Sequence, residues 1–148
     1  MSIAKARLRA AGRITCFLVA LSAAPAIAAD PPVTVGEVGT RVSRDGVDLA
    51  LVVRKALERE LRALSIRPPR ERYVLSASLV RLDGGVAGGA SHTECMISAV
   101  LREKKSGAIR AMIEGKAHAD GRRSPDVEIG TVEAAAQGAV RALPQAFR

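Results

Sequence analysis

Between Arg72 and Ala119 the chain alternates apolar or small residues with polar ones in three successive runs. A period of two is the mark of a half-buried strand. In the first run Leu75, Ala77 and Leu79 share one face, and Ser76 and Ser78 the other. In the second, Cys95, Ile97, Ala99 and Leu101 oppose Glu94, Ser98 and Arg102. In the third, Ala111, Ile113, Gly115 and Ala117 oppose Arg110, Glu114, Lys116 and His118. The three runs therefore predict an antiparallel meander with one apolar face and one wet face.

Lys105-Ser106-Gly107 suits a three-residue hairpin loop with Gly107 in the left-handed conformation that a side chain resists. Pairing Lys104 with Ala108 sets Arg102 opposite Arg110, Val100 opposite Met112, Ser98 opposite Glu114 and Glu94 opposite His118. Cys95 then meets Ala117, Ile97 meets Gly115, and Ala99 meets Ile113. Every pair keeps its face, which a slip of one residue would destroy. The glycine-rich stretch Asp83 to Ser91 (Gly84, Gly85, Gly88, Gly89) reads as the flexible tip of the first hairpin. No helix follows it and no P-loop lysine is present, so it is not a phosphate cradle.

Ahead of the meander, Val47 to Leu64 carries Ala50, Val53, Leu57, Leu61 and Leu64 at helical spacing. Asp45 is its expected N-cap, with Asp48 three residues on. Arg54, Glu58 and Arg62 fall four apart on the opposite side. Pro68-Pro69 cannot continue the helix. Val33 to Val38 suggests a short first strand and Gly39 to Arg44 a loop. After the meander, Ala119 to Gly130 reads as loop. Thr131 is the expected cap of a final helix carrying Val132, Ala136, Ala139, Val140 and Leu143, which Pro144 kinks or ends.

Two amphipathic helices need an apolar surface, and the inner face of the meander is the large one available. The predicted fold is a two-layer α+β sandwich, a three-stranded antiparallel meander with Val33–Val38 as a candidate fourth strand and both helices on one face. This order of elements resembles the amino-terminal domain of the Tol-system translocation protein. It is also similar to the periplasmic domain of lipoprotein activators of penicillin-binding proteins. The resemblance implies a protein-interaction role in the bacterial envelope.

Charge and composition add a destination. The 148 residues carry a formal net charge of +8. Lys5, Arg7, Arg9 and Arg13 precede an apolar run from Ile14 to Leu21, and the segment ends in Ala26-Ile27-Ala28. That is the plan of a secretory signal peptide. Residues 1–28 are thus read as a leader and 29–148 as one small domain. The apolar run is shorter than the roughly 20 residues of a membrane span, so no stable anchor is expected after cleavage. Cys16 starts the apolar run instead of ending it, so no lipid anchor is expected either.

Without the leader, 19 basic and 15 acidic residues remain, a net +4 that serves solubility. With no Trp, one Tyr and two Phe, the chain offers no base-stacking platform, which argues against nucleic acid. Cys95 is the single cysteine left after cleavage and points inward in the register, where a thiol behaves as a small hydrophobe.

No serine-nucleophile motif, metalloprotease helix or nucleotide fingerprint is present. The chain reads as a non-enzyme with no cofactor. Two sites compete. The first is the wet sheet face, where Val74, Val100 and Met112 would form an apolar stripe bordered by Arg102 and Arg110. Such a patch with a charged rim marks a protein contact, with another envelope protein as the expected partner. In the bland case, Val33–Val38 or the amino-terminal tail covers it. The second site is the corner formed by His92, Glu94, His118 and Asp120, whose imidazoles and carboxylates are acceptable zinc or copper ligands.

The leader generates a direct prediction. Intact-mass measurement of the exported product should show a chain starting at Ala29, in the periplasm or medium. A mass retaining Met1 to Ala28 in a membrane pellet would sink this assignment.

Overall fold

The structure is a computed structural model that describes residues 31–65, 71–87 and 90–147. The leader, the segment with Pro68-Pro69, Arg67 and Arg70, and Gly88-Gly89 lie outside the described residues. Strands β1 (Val33–Thr40), β2 (Tyr73–Ala87), β3 (Ala90–Glu103) and β4 (Ile109–Asp120) form one sheet in the order β1-β2-β3-β4. Helices α1 (Leu49–Ala63) and α2 (Pro125–Ala146) complete the domain. β2, β3 and β4 pair antiparallel as the alternation predicts. The expected three-stranded sheet is nonetheless four-stranded and mixed, because β1 pairs parallel to β2. A parallel pair needs a long crossover, and α1 supplies it. β1 extends to Thr40, into the expected loop, and absorbs its glycine with an irregularity between Val35 and Val38.

The β3–β4 register matches the expected pairs from Glu94–His118 to Val100–Met112. It departs at the turn. Glu103 closes the hairpin by donating to the carbonyl of Ala108 at 2.9 Å, one residue earlier than expected. Gly107 still takes the left-handed position, at φ +73°. The extra residue appears as a bulge that sets Arg102 against Ile109 and leaves Arg110 out of the pairing.

The glycine-rich stretch is not a loose tip. Gly84 pairs with Thr93 and Gly85 with His92 inside the ladder. A Cβ on Gly84 would stand 2.9 Å from Arg123 Cδ, and one on Gly85 2.7 Å from His92 Cε1. Both glycines leave room for a neighbouring side chain to lie across the strand.

α1 starts later than expected. Its N-cap is Asp48, whose carboxylate accepts from the Leu51 amide at 3.0 Å, while Asp45 sits in the preceding turn. Val53, Ala56 and Leu57 are buried, with Leu61 and Leu64 packed at the core's margin. On the outer side Arg59 pairs with Glu60 (3.2 Å) and with Glu133 of α2 (3.3 Å).

α2 begins six residues before Thr131. Ser124 caps it by accepting from the Val127 amide, and Pro125 occupies the first turn, where no amide hydrogen is needed. Thr131 is buried within the helix and donates to the Val127 carbonyl at 2.6 Å. Pro144 falls in the last turn and does not end the helix before Ala146.

Both helices lie on the inner face, α2 over β3 and β4 and α1 towards β1. The core joins Val53 and Leu57 of α1 to Leu75, Leu79, Ile97 and Leu101 of the sheet and Val132, Val140 and Leu143 of α2. Tyr73 closes one end edge-on against Phe147, with ring centroids 5.1 Å apart.

The other end is tied by charge. Glu128, in the first turn of α2, accepts from Arg123 and from Arg44, which stands between β1 and α1. Arg44 also donates to the Leu82 carbonyl of β2 at 2.9 Å. Burial pushes the Glu128 carboxyl pKa up, but the two guanidinium hydrogen bonds outweigh it and the net shift is downward.

Two predictions follow from this packing. A Cβ on Gly115 would lie 2.0 Å from the Ala135 carbonyl oxygen, whereas one on Gly138 meets nothing closer than 3.8 Å. Gly115→Ala should therefore cost about 1–3 kcal/mol through overpacking. Gly138→Ala should add about 0.5–1 kcal/mol of helix stability. Denaturant melts check both, and equal effects would mean that α2 does not seat on β4 at Gly115. For Glu128 the folded pKa lies below the unfolded one, so its stabilisation is present above the unfolded value and lost as pH falls through the folded value. Glu128→Gln should thus be less stable than wild type at neutral pH, with the gap closing below about pH 4. A gap independent of pH would show that ionisation of Glu128 is not what stabilises.

Candidate functional site

Antiparallel pairing lays the outer face out in rows across β2, β3 and β4. From one end they read Val74–Arg102–Ile109, Ser76–Val100–Met112 and Ser78–Ser98–Glu114. They continue as Arg81–Met96–Lys116, Asp83–Glu94–His118 and Gly85–His92–Asp120. A shift between Leu79 and Arg81 leaves Val80 out, which keeps the later β2 residues in phase with β3.

The predicted stripe is present in altered form. Val100 lies directly opposite Met112, as expected, but its β2 neighbour is Ser76. Val74 stands one row along, beside Arg102, where a Cβ on Gly36 of β1 would fall 2.5 Å from its Cγ1. The missing side chain at Gly36 lets Val74 lean over the edge strand. Ile109 joins the patch instead of Arg110, because the bulge reverses which of the two faces outward. Met112 is 75% exposed and Ile109 59%, with Val74 and Val100 half-buried.

Arg110 does not face Arg102. Its Nε donates to the Ala146 carbonyl at the end of α2, at 3.3 Å. A helix C-terminus carries unsatisfied carbonyls and partial negative charge, which attract a cation. The repelling arginine pair expected from sequence is resolved in this way. Ile109 was legible only to a reading that placed the bulge.

β1 lies beside β2 as an edge strand and does not cover the patch. The amino-terminal tail that was the other candidate cover lies outside the described residues.

At the far end, His92, Glu94, His118 and Asp120 come together as the register predicts. His118 Nε2 is 2.8 Å from Asp120 Oδ1, and its Nδ1 3.9 Å from Glu94 Oε1. His92 stacks on His118 with centroids 5.6 Å apart and planes at 29°. Stacked rings do not aim their nitrogens at a common point. Among the described residues no group of three or more His, Cys, Asp or Glu is arranged to hold a metal ion. A shallow hollow of about 450 Å³ beside this corner is lined by Arg81, Glu94, Met96, Lys116 and His118.

Cys95 is buried as expected, and burial pushes its thiol up to about 12. At neutral pH it is a protonated hydrophobe and not a nucleophile.

No family model matches this chain, and no curated protein matches it. Solved structures do. A Xanthomonas campestris protein of a domain family of unknown function is 12% identical with a TM-score of 0.54, over 75% of this chain and 80% of that one. A Caulobacter crescentus protein named as a lipoprotein is 19% identical with a TM-score of 0.45, over 79% and 88%. The PelC dodecamer of Paraburkholderia phytofirmans gives 17% and 0.45, over 78% and 87%. The likeness to the Xanthomonas protein is one of fold alone. These neighbours are small bacterial proteins, and they do not support the Tol translocation or penicillin-binding-protein-activator families that the element order suggested.

Proposed function

We propose that this chain is an exported, non-catalytic protein of the bacterial envelope that binds another protein through the outer face of its sheet. The observation that carries the proposal is the apolar patch of Val74, Val100, Ile109 and Met112, which no other described element covers. An exposed apolar cluster costs solubility and persists where a partner buries it. The export reading rests on the basic start, short apolar run and Ala26-Ile27-Ala28 of the leader.

The rim specifies the partner's chemistry. Arg102 lies in the patch, and Lys104 and Lys105 stand in the adjoining turn, all exposed. A partner surface with an apolar prominence and an acidic border complements this end of the sheet.

Val100→Asp tests the reading. An uncovered position at the edge of β-propensity effects should cost at most about 1 kcal/mol of stability. Crosslinking in the native envelope should then lose the partners that wild type captures. A variant that melts like wild type and captures the same partners would refute the binding face.

A further inference from the structure

The outer-face patch calls for a partner with an apolar prominence inside an acidic border, and the far end of the same face has both. Met96 stands there in the middle of its row, with Asp83, Glu94 and Asp120 in the two rows beyond. We infer that the partner is a second copy of this chain, its outer face laid on this one with the strands reversed, about a two-fold axis through Ser98. The inference rests on the outer face being a binding face and adds what occupies it.

β3 makes the face self-complementary. It has a neighbouring strand on each side, so its outward residues run down the middle of the sheet. They read Glu94, Met96, Ser98, Val100 and Arg102. About Ser98 this series is symmetric in its apolar members and opposite in its charges. Reversing one copy over the other sets Arg102 against Glu94 and Val100 against Met96, each twice by symmetry. Arg102 and Glu94 are both exposed. Stacked sheets lie about 10 Å apart, a gap that an arginine and a glutamate span together. A two-fold axis along the strands is the other way to stack the two faces. It would put Arg102 on Arg102 and Glu94 on Glu94, so charge selects the reversed arrangement.

β4 agrees in shape. Its exposed Met112 comes over Lys116 of the second copy, beside the hollow of about 450 Å³ that Met96 and Lys116 help to line. A projecting side chain thus meets a concavity. Lys104 and Lys105 of the turn extend the basic end towards Asp120 of the second copy. Glu114 meets its own mate at the sheet's margin, where Lys116 of the same strand, 3.0 Å away, offsets the like charge. Both helices lie on the inner face, so neither stands between the copies. With strands about 4.8 Å apart and rows about 6.8 Å apart, the overlap from the Arg102 row to the Glu94 row covers roughly 500 Å² per copy. A standard stable interface buries about 800 Å² per partner, so this pair is reversible and dissociates on dilution.

Sedimentation equilibrium on the exported protein tests the inference. The mass should rise with concentration towards that of two copies. Arg102→Glu and Glu94→Arg should each weaken the pair by roughly tenfold, since each turns two attractive contacts into repulsive ones. Their melts should match wild type, both positions being exposed. The combined exchange, Arg102→Glu with Glu94→Arg, should restore the wild-type constant. Geometry has its own readout. Ser98→Cys, on the axis, should be joined to its mate by a short bis-maleimide that the buried Cys95 does not meet, whereas Lys105→Cys, at opposite ends of the pair, should not. A chain that stays monomeric at every soluble concentration would overturn the inference. So would a dimer indifferent to the single exchanges, or one that the combined exchange fails to restore. If such a monomer still captures a different protein in the native envelope, and Val100→Asp abolishes that capture, the outer face stands as a binding face and only the occupant named here is wrong. Absence of both self-association and Val100-dependent capture would overturn the face itself.

Discussion

At Gly115 the backbone of α2 comes so close to β4 that a single carbon on the strand would collide with the Ala135 carbonyl and with Ala139. The seat of the last helix depends on this contact, and the rest of the surface follows from the seat. Close approach requires small residues on both partners, and Gly115, Ala135, Gly138 and Ala139 provide them. A helix lined with leucine there would stand further off and reach past the strand. The alanine-rich face instead lies directly on the apolar side of β4. The helix also ends near the β3–β4 turn, where its terminal carbonyls meet Arg110. Helix and strand are thus joined at one point by sterics and at another by charge.

The meander was legible because period-two alternation is a local signal, and because a buried face penalises any one-residue slip. The pairs between β3 and β4 from Glu94–His118 to Val100–Met112 followed from that alternation and the placing of the Lys105-Ser106-Gly107 turn. What the sequence hid was non-local or irregular. The parallel pairing of β1 depends on where α1 delivers the chain. Gly84 and Gly85 belong to a ladder, with Arg123 lying over the first and the cross-strand His92 over the second, and Arg123 is far along the chain. Asp48 displaced Asp45 as cap because Asp45 and Gly46, the latter at φ +73°, form the turn closed by the Arg44–Val47 bridge. Ser124-Pro125 was a readable helix start, obscured by the polar residues and glycine that follow it.

The bulge at Arg110 had the largest consequence for function. A one-residue change in where the turn closes moved an arginine from the outer face to the end of α2 and replaced it with Ile109. The expected patch had three apolar residues between two arginines. The observed one has four apolar residues and Arg102. The outer face is therefore more apolar than its sequence pattern implied, and the charge that would have fenced it is spent on holding a helix. Stability and surface character are coupled here through one residue.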